Sequence, residues 1–307
     1  MKKVLTIVGP TASGKTSLSI EVAKKLNAEI ISADSRQVYK HIPISTSYPS
    51  ENDLKDIKHY FIGELELEND FNSGEFGKKG RDIIDEIFSG NKQPLIVGGS
   101  GLYVRSIIDG FFETEVKDIE IRNELYKKLE IHGEEYLYDE LKKADESAAS
   151  KIPAGKIRRV IRALEVYYTS GKKMSDFQKE KAEIKFDTIQ TGLLLDRKYL
   201  YERINRRVDE MILSGLMNEI SLLKENGYNY RTHNSLNTVG IKEVYKYFEG
   251  EYDYETMLNL IKQNSRRYAK RQMTWFRKDE RINWIEVNEE SDIETLTDEV
   301  LKIFNSK

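Results

Sequence analysis

Cysteine is absent from the 307 residues. That removes disulfides, thiol nucleophiles and cysteine-ligated zinc, and it fits a cytoplasmic protein. Only four histidines occur, His41, His59, His132 and His233. None has metal-ligand spacing, so all four read as structural or surface groups. No apolar run reaches the roughly eighteen residues of a membrane span. The start, Met1-Lys2-Lys3-Val4, enters an apolar stretch at once, which leaves no room for a signal peptide. Internal repeats and low-complexity tracts are also missing. Nor is there an excess of positive charge. The net charge of −3 argues against a uniformly basic nucleic-acid binder. The charge is uneven, however. Residues 113–146 hold 12 acids and 6 bases, residues 154–207 hold 14 bases and 7 acids, and residues 262–281 hold 8 bases and 2 acids. Two basic blocks suggest either a localised polyanion surface or a set of solvated helix faces.

What is present is organised around Gly9-Pro10-Thr11-Ala12-Ser13-Gly14-Lys15-Thr16. This G-x-x-x-x-G-K-[ST] sequence lies between an apolar strand pattern (Val4 to Val8) and an amphipathic helix pattern (Leu18, Ile20, Val22, Ala23, Leu26). Glycines let backbone N–H groups converge on phosphate oxygens, and the helix N-terminus adds partial positive charge. Lys15 adds a full charge, and Thr16 offers a hydroxyl to a magnesium ion. The motif specifies a phosphate chain with magnesium; it does not specify ATP.

Further along, Ala28 to Asp34 is an apolar run ending in a carboxylate. Ligands of doubly wound sheets lie at strand carboxyl ends, so Asp34 is either a site group or a helix cap. Ser35-Arg36-Gln37-Val38-Tyr39 offers groups suited to base recognition. Residues 41–73 read as an irregular loop or lid. A helix over Phe76–Phe88 precedes a strand over Pro94–Val97. The glycine-rich turn Gly98-Gly99-Ser100-Gly101 follows, with Ser100 available to a phosphate or base. Residues 118–149 read as helical, with Leu125, Leu129, Tyr136, Leu137 and Leu141 as the buried stripe. Over Lys156–Thr169 a helix turns Val160, Leu164 and Tyr167 inward. Its Arg158, Arg159 and Arg162 cluster as phosphate contacts do. Thr188–Asp196 is a fourth strand. Arg203, Arg206 and Arg207 follow it at i, i+3 and i+4, where phosphate-transfer enzymes carry a charge-neutralising lid. A basic helix over 257–278, a strand at Asn283–Val287 and a helix over Asp292–Phe304 complete the chain.

Six blocks in this order resemble the tRNA dimethylallyltransferase family, also called tRNA isopentenyltransferases or IPP transferases. They are Gly9–Thr16, Ile31–Tyr39, Leu95–Tyr103, Ile157–Tyr167, Tyr201–Met211 and Arg267–Phe276. The resemblance implies transfer of a prenyl group from dimethylallyl diphosphate to N6 of adenosine 37 in tRNA. By that resemblance Gly9, Pro10, Thr11, Ala12, Ser13, Gly14, Lys15 and Thr16 hold the diphosphate, with Mg2+ on Thr16. Asp34 is the base, Ser100 holds the reacting groups, and Arg207 stabilises the leaving charge. Asp34, Ser35, Arg36, Gln37 and Ser100 contact tRNA at the target base. Arg122, the run Arg158-Arg159-Val160-Ile161-Arg162, and Lys270-Arg271-Gln272 contact the anticodon stem-loop.

The family's Gly-Met-Asp-Ile-Gly-Thr-Ala-Lys-Pro pattern is replaced here by Lys40-His-Ile-Pro-Ile-Ser-Thr-Ser-Tyr-Pro49. The expected fold is α/β: a P-loop-containing parallel sheet of about five strands with helices on both faces. Residues 1–115 and 188–307 form the catalytic core, and a helical insertion over 116–187 holds tRNA. The protein is expected to be a cytoplasmic monomer with no membrane partner. A small-molecule kinase and an RNA-binding paralogue with weakened catalysis are the alternatives.

Overall fold

The structure is a computed structural model that describes residues 2–110, 116–179 and 183–306. The chain divides into two compact units, Met1–Ile108 with Lys185–Lys307, and Asp109–Ile184. The first unit begins with β1 (Lys2–Val8), α1 (Lys15–Leu26), β2 (Ala28–Ser32), α2 (Pro43–Thr46), α3 (Glu51–Asp56), β3 (His59–Tyr60), α4 (Ser73–Ser89), β4 (Gln93–Gly98) and α5 (Gly101–Ile108). The second unit holds α6 (Ile119–Ala144), α7 (Glu146–Lys151), α8 (Ile157–Ser170) and α9 (Met174–Phe177). The chain then returns to the first unit as β5 (Phe186–Leu195), α10 (Arg197–Leu213), α11 (Leu216–Glu225), α12 (Ile241–Phe248), α13 (Tyr254–Phe276), β6 (Ile282–Val287) and α14 (Ile293–Ser306).

In the first unit the strands form one parallel sheet in the order β3-β2-β4-β1-β5-β6. Its central strands are continuous apolar runs because both faces are covered. Leu5, Ile7, Ile30 and Leu95 join Leu18 and Val22 of α1 and Leu296 and Val300 of α14 in one core. The alternate residues Val4, Ile31 and Ile96 are equally buried and belong to the opposite face. The sheet has six strands where the sequence suggested about five. The extra strand, β3, lies in the stretch expected to be an irregular loop, which also contains α2 and α3. Two residues are too few to show alternation; β3 is defined by its pairing, Ile30 with His59 and Ile31 with Tyr60.

Strand order is what positions the site. The neighbours β2, β4 and β1 end side by side, with Ser32 opposite Val97 and Val8 opposite Gly98. The three turns that follow these strands therefore meet at one edge. The approach is close: a Cβ on Gly98 would lie 2.2 Å from the carbonyl oxygen of Ala33. No side chain larger than hydrogen fits there.

In the second unit Leu125, Leu137, Leu141, Val160, Ile161 and Leu164 form a separate core. The long helix expected over 118–149 is interrupted twice. Gly133 takes φ 81° inside α6. Lys128 and Glu140 pair at 2.8 Å, although twelve residues of straight helix would separate them by about 18 Å; the chain therefore doubles back at Gly133. Asp145 ends α6 and caps α7 by accepting the Ala148 N–H at 3.0 Å. Tyr136, expected in the buried stripe, is instead exposed and stacks on the ring of His132.

Candidate functional site

The phosphate loop joins β1 to α1. Gly14 caps α1 at φ 96° with no side-chain cap, so the first-turn N–H groups of the helix are left for a ligand. Lys15 Nζ donates to the loop's own Pro10 carbonyl at 2.6 Å. Burial, and then the neighbouring Arg207 charge, push the Lys15 pKa down to about 7, against a smaller upward pull from Asp34. The buried Ser13 hydroxyl has no hydrogen-bond partner among the described residues. Two props from the far end of the sequence hold the loop. Arg203 Nε donates to the Ala12 carbonyl at 2.8 Å. Gln272 accepts the Thr11 N–H at 2.9 Å and donates to the Gly99 carbonyl at 2.9 Å. Gln272 thus ties the phosphate loop to the glycine turn after β4.

Asp34 follows β2, half-buried. Its Oδ1 accepts the N–H groups of Arg36 at 2.8 Å and Gln37 at 3.4 Å, the turn-capping role. Its Oδ2 takes no hydrogen bond among the described residues. One carboxylate therefore shapes the turn and keeps an oxygen in reserve. Ser100 Oγ accepts the Ser35 N–H at 3.1 Å and lies 3.4 Å from the Ser35 hydroxyl, to which it donates. Burial, then the Asp34 charge, push the Tyr268 phenol up to about 12, so it stays a neutral donor.

A cavity of about 150 Å³ is lined by Lys15, Thr16, Asp34, Arg207, Tyr268 and Gln272, with Ile204, Val208, Met211 and Ile261 as apolar wall. A second, of about 220 Å³, is lined by residues 12–17 with Arg203, Arg206, Arg207 and Glu210. Lys15, Thr16 and Arg207 line both. Arg207 Nε donates to Ser47 Oγ at 3.0 Å.

Other residues expected at the site have internal partners. Arg36 donates to the Asn234 carbonyl at 2.6 Å and the Asn237 carbonyl at 3.4 Å. Gln37 accepts from the Ser32 hydroxyl at 2.9 Å and donates to the carbonyls of Thr46 and Ser47 at 3.1 and 2.9 Å. Lys270 and Arg271 are exposed on α13. In the second unit Arg158 and Arg159 are exposed, whereas Val160 and Ile161 lie in the core with their side chains away from solvent. Arg122 and Arg162 converge on the buried Glu165 at 2.8 and 3.0 Å.

Sequence reasoning missed Ser47 and Glu219. Glu219 accepts the N–H groups of Ile44 at 2.7 Å and Ser45 at 2.9 Å, and the Ser45 hydroxyl. No local pattern announces a contact across some 170 residues. Tyr268, inside a quoted block, was passed over because a tyrosine on a basic helix reads first as packing.

Comparison with known proteins agrees with this geometry. The IPP transferase family profile matches residues 37–279. A tRNA dimethylallyltransferase of Acetivibrio thermocellus is 44% identical over 292 residues, covering 94% of this chain and 93% of that protein. The crystal structure of a full-length tRNA isopentenylpyrophosphate transferase from Bacillus halodurans superposes with a TM-score of 0.73 at 35% identity, covering 100% of this chain and 98% of the other. A eukaryotic dimethylallyltransferase acting on tRNA gives a TM-score of 0.84 at 29% identity, covering 100% of this chain and 79% of that one.

Proposed function

Because the chain belongs to the IPP transferase family, we propose that it transfers a dimethylallyl group from dimethylallyl diphosphate to N6 of adenosine 37 in tRNA. The observation that carries this reading is the presence of a phosphate loop and a carboxylate in one cleft, with Lys15, Thr16, Asp34 and Arg207 on the same cavity wall.

The diphosphate sits in the loop against the α1 N-terminus, and the prenyl chain lies along the apolar wall. Adenine N6 attacks C1 of the donor. The C1–O bond breaks, and its electron pair leaves with the diphosphate. The N6 proton passes to Asp34 Oδ2, since Oδ1 is occupied by backbone N–H groups. Ser100, itself oriented by Ser35, holds the reacting groups in register. Lys15 and Arg207 meet the charge that grows on the leaving oxygen, in a buried setting where each counts for more than in water. Magnesium, when bound, neutralises part of the diphosphate charge. The residues fit such an ion: the Thr16 hydroxyl lines the cavity beside the phosphate loop and would be the group that holds it.

Ser35, Arg36 and Gln37 shape the edge that meets the target base. The exposed Arg158, Arg159, Lys270 and Arg271 bind phosphates of the anticodon stem-loop. Arg122, Arg162 and Gln272 act from within, by fixing the elements that carry those groups. The helical insertion thereby serves as an RNA-holding domain. A tRNA substrate supports a cytoplasmic setting. No helix among the described residues is long and apolar enough to cross a membrane.

The test incubates the protein with tRNA, labelled dimethylallyl diphosphate and magnesium. Label is expected on N6 of adenosine 37, and Asp34→Ala is expected to lower the rate by about 10²–10⁴. Unlabelled tRNA with the wild-type protein, or magnesium-dependent ATP turnover without tRNA, overturns the reading.

A further inference from the structure

The stretch where this chain departs from its family's sequence pattern carries a device of its own. After Pro43–Thr46, Ser47 takes φ 50° and ψ 68°, the left-handed region that favours glycine or asparagine. A serine held there against its preference must be fixed by its surroundings. Three contacts do this. Glu219, buried on α11, accepts the N–H groups of Ile44 and Ser45 at 2.7 and 2.9 Å, and the Ser45 hydroxyl. Gln37 donates to the Ser47 carbonyl at 2.9 Å. The Tyr48 hydroxyl donates to the Tyr39 carbonyl.

The strained residue faces Arg207, whose Nε donates to Ser47 Oγ at 3.0 Å. Among the described residues Arg207 makes no other hydrogen bond or ion pair. An arginine anchored through Nε has its plane fixed while both terminal nitrogens stay open for a bidentate contact with an anion. The neighbouring Lys15 would otherwise push the guanidinium away, since like charges repel strongly in a buried setting.

We propose that Ser47 is a positioning residue for Arg207, aligning its two terminal nitrogens on the leaving diphosphate, and that Glu219 holds Ser47 in place. The inference rests on the prenyl-transfer reading given above.

Ser47→Gly removes the hydroxyl while suiting the left-handed backbone, so a loss of activity cannot be assigned to misfolding if the melting temperature holds. The experiment is a double-mutant cycle with Arg207→Lys, which lacks Nε–H. It is read by single-turnover prenylation of tRNA and by calorimetry with inorganic diphosphate and magnesium. Ser47→Gly is expected to slow prenyl transfer and weaken diphosphate binding about tenfold, with the KM for tRNA unchanged. In the Arg207→Lys background the same change is expected to cost less than about twofold. Ser47→Asn, which tolerates the left-handed region and offers a carbonyl acceptor, is expected to recover part of the loss. Wild-type rates in Ser47→Gly, or an equal loss in both backgrounds, overturn the inference while leaving the prenyl-transfer reading intact. A wild-type protein that does not prenylate tRNA overturns both.

Discussion

Two sets of arginines invite comparison. On α10, Arg203 and Arg207 donate to neutral oxygens: the Ala12 carbonyl, the Tyr199 hydroxyl and the Ser47 hydroxyl. In the second unit, Arg122 and Arg162 close on Glu165, a carboxylate with 1% of its side chain exposed. Both sets are clustered and helical, and sequence alone gives them the same weight. Their physics is opposite. The second set is neutralised within the fold and gives the helices α6 and α8 a fixed relation. The first meets no carboxylate at contact distance among the described residues; Asp34 and Glu210 offset only part of the Arg207 charge beside Lys15. A buried cation that bonds only to neutral acceptors marks a ligand site; one that meets a carboxylate marks a structural joint.

The comparison can be broken at several points. Glu165→Ala has the largest expected effect, since it strands two arginines and the Asp118 N–H. It should lower stability by about 3 kcal/mol, read as a shift of the urea midpoint. Burial raises the Glu165 pKa, but bonds from Arg122, the Asp118 N–H and Arg162 outweigh that and hold it below the usual 4.5. Its contribution is therefore complete above pH 4.5 and is lost on acidification through the folded-state pKa. Arg207→Ala comes next, with the opposite signature. Prenyl transfer in single turnover should fall about 10²–10³-fold, while thermal stability holds or rises because a repulsion with Lys15 is removed.

A subtler effect concerns Lys15. Its folded pKa of about 7 lies below the ordinary 10.5, so the unfolded chain binds more protons between these values. Stability of the unliganded protein should rise with pH across that window. Binding inorganic diphosphate near pH 8.5 should draw in up to about one proton, measured by calorimetry in buffers of different ionisation enthalpy, and Lys15→Met should abolish the uptake. The smallest effect is expected from Arg158→Ala with Arg159→Ala. tRNA affinity should weaken alike across tRNAs, and the slope of log affinity against log salt should drop by roughly 1–2.

Much of the site could be read from short-range pattern. The strand–turn–helix context marked Gly9–Thr16, and an apolar run ending in a carboxylate marked Asp34. Adjacency of β2, β4 and β1 brings both to Ser100, a consequence of sheet order that no single segment states. The misses share a cause. β3 is defined by pairing, and the reversal at Gly133 by one φ angle. Gln272 meets Thr11 across 261 residues. Val160 and Ile161 carried two expectations, an inward-facing helix stripe for the former and RNA contact for both. Their burial follows the amphipathic pattern of α8, in which Val160, Ile161 and Leu164 share the core.

The double bond of Gln272, to Thr11 and to Gly99, has a bearing on how the chain can be divided. A fragment ending near residue 190 would keep the whole glycine-lysine signature and four of the six strands in full. It would lack Arg203 and Gln272, the two side chains from outside the loop that hold its backbone in shape among the described residues, and it would lack Arg207 of the site. It would also lack α14, uncovering the part of α1 that packs on Leu296 and Val300. Such a piece would carry the emblem of a phosphate-binding domain without its grip. The grip of the loop depends on residues as late in the chain as Gln272.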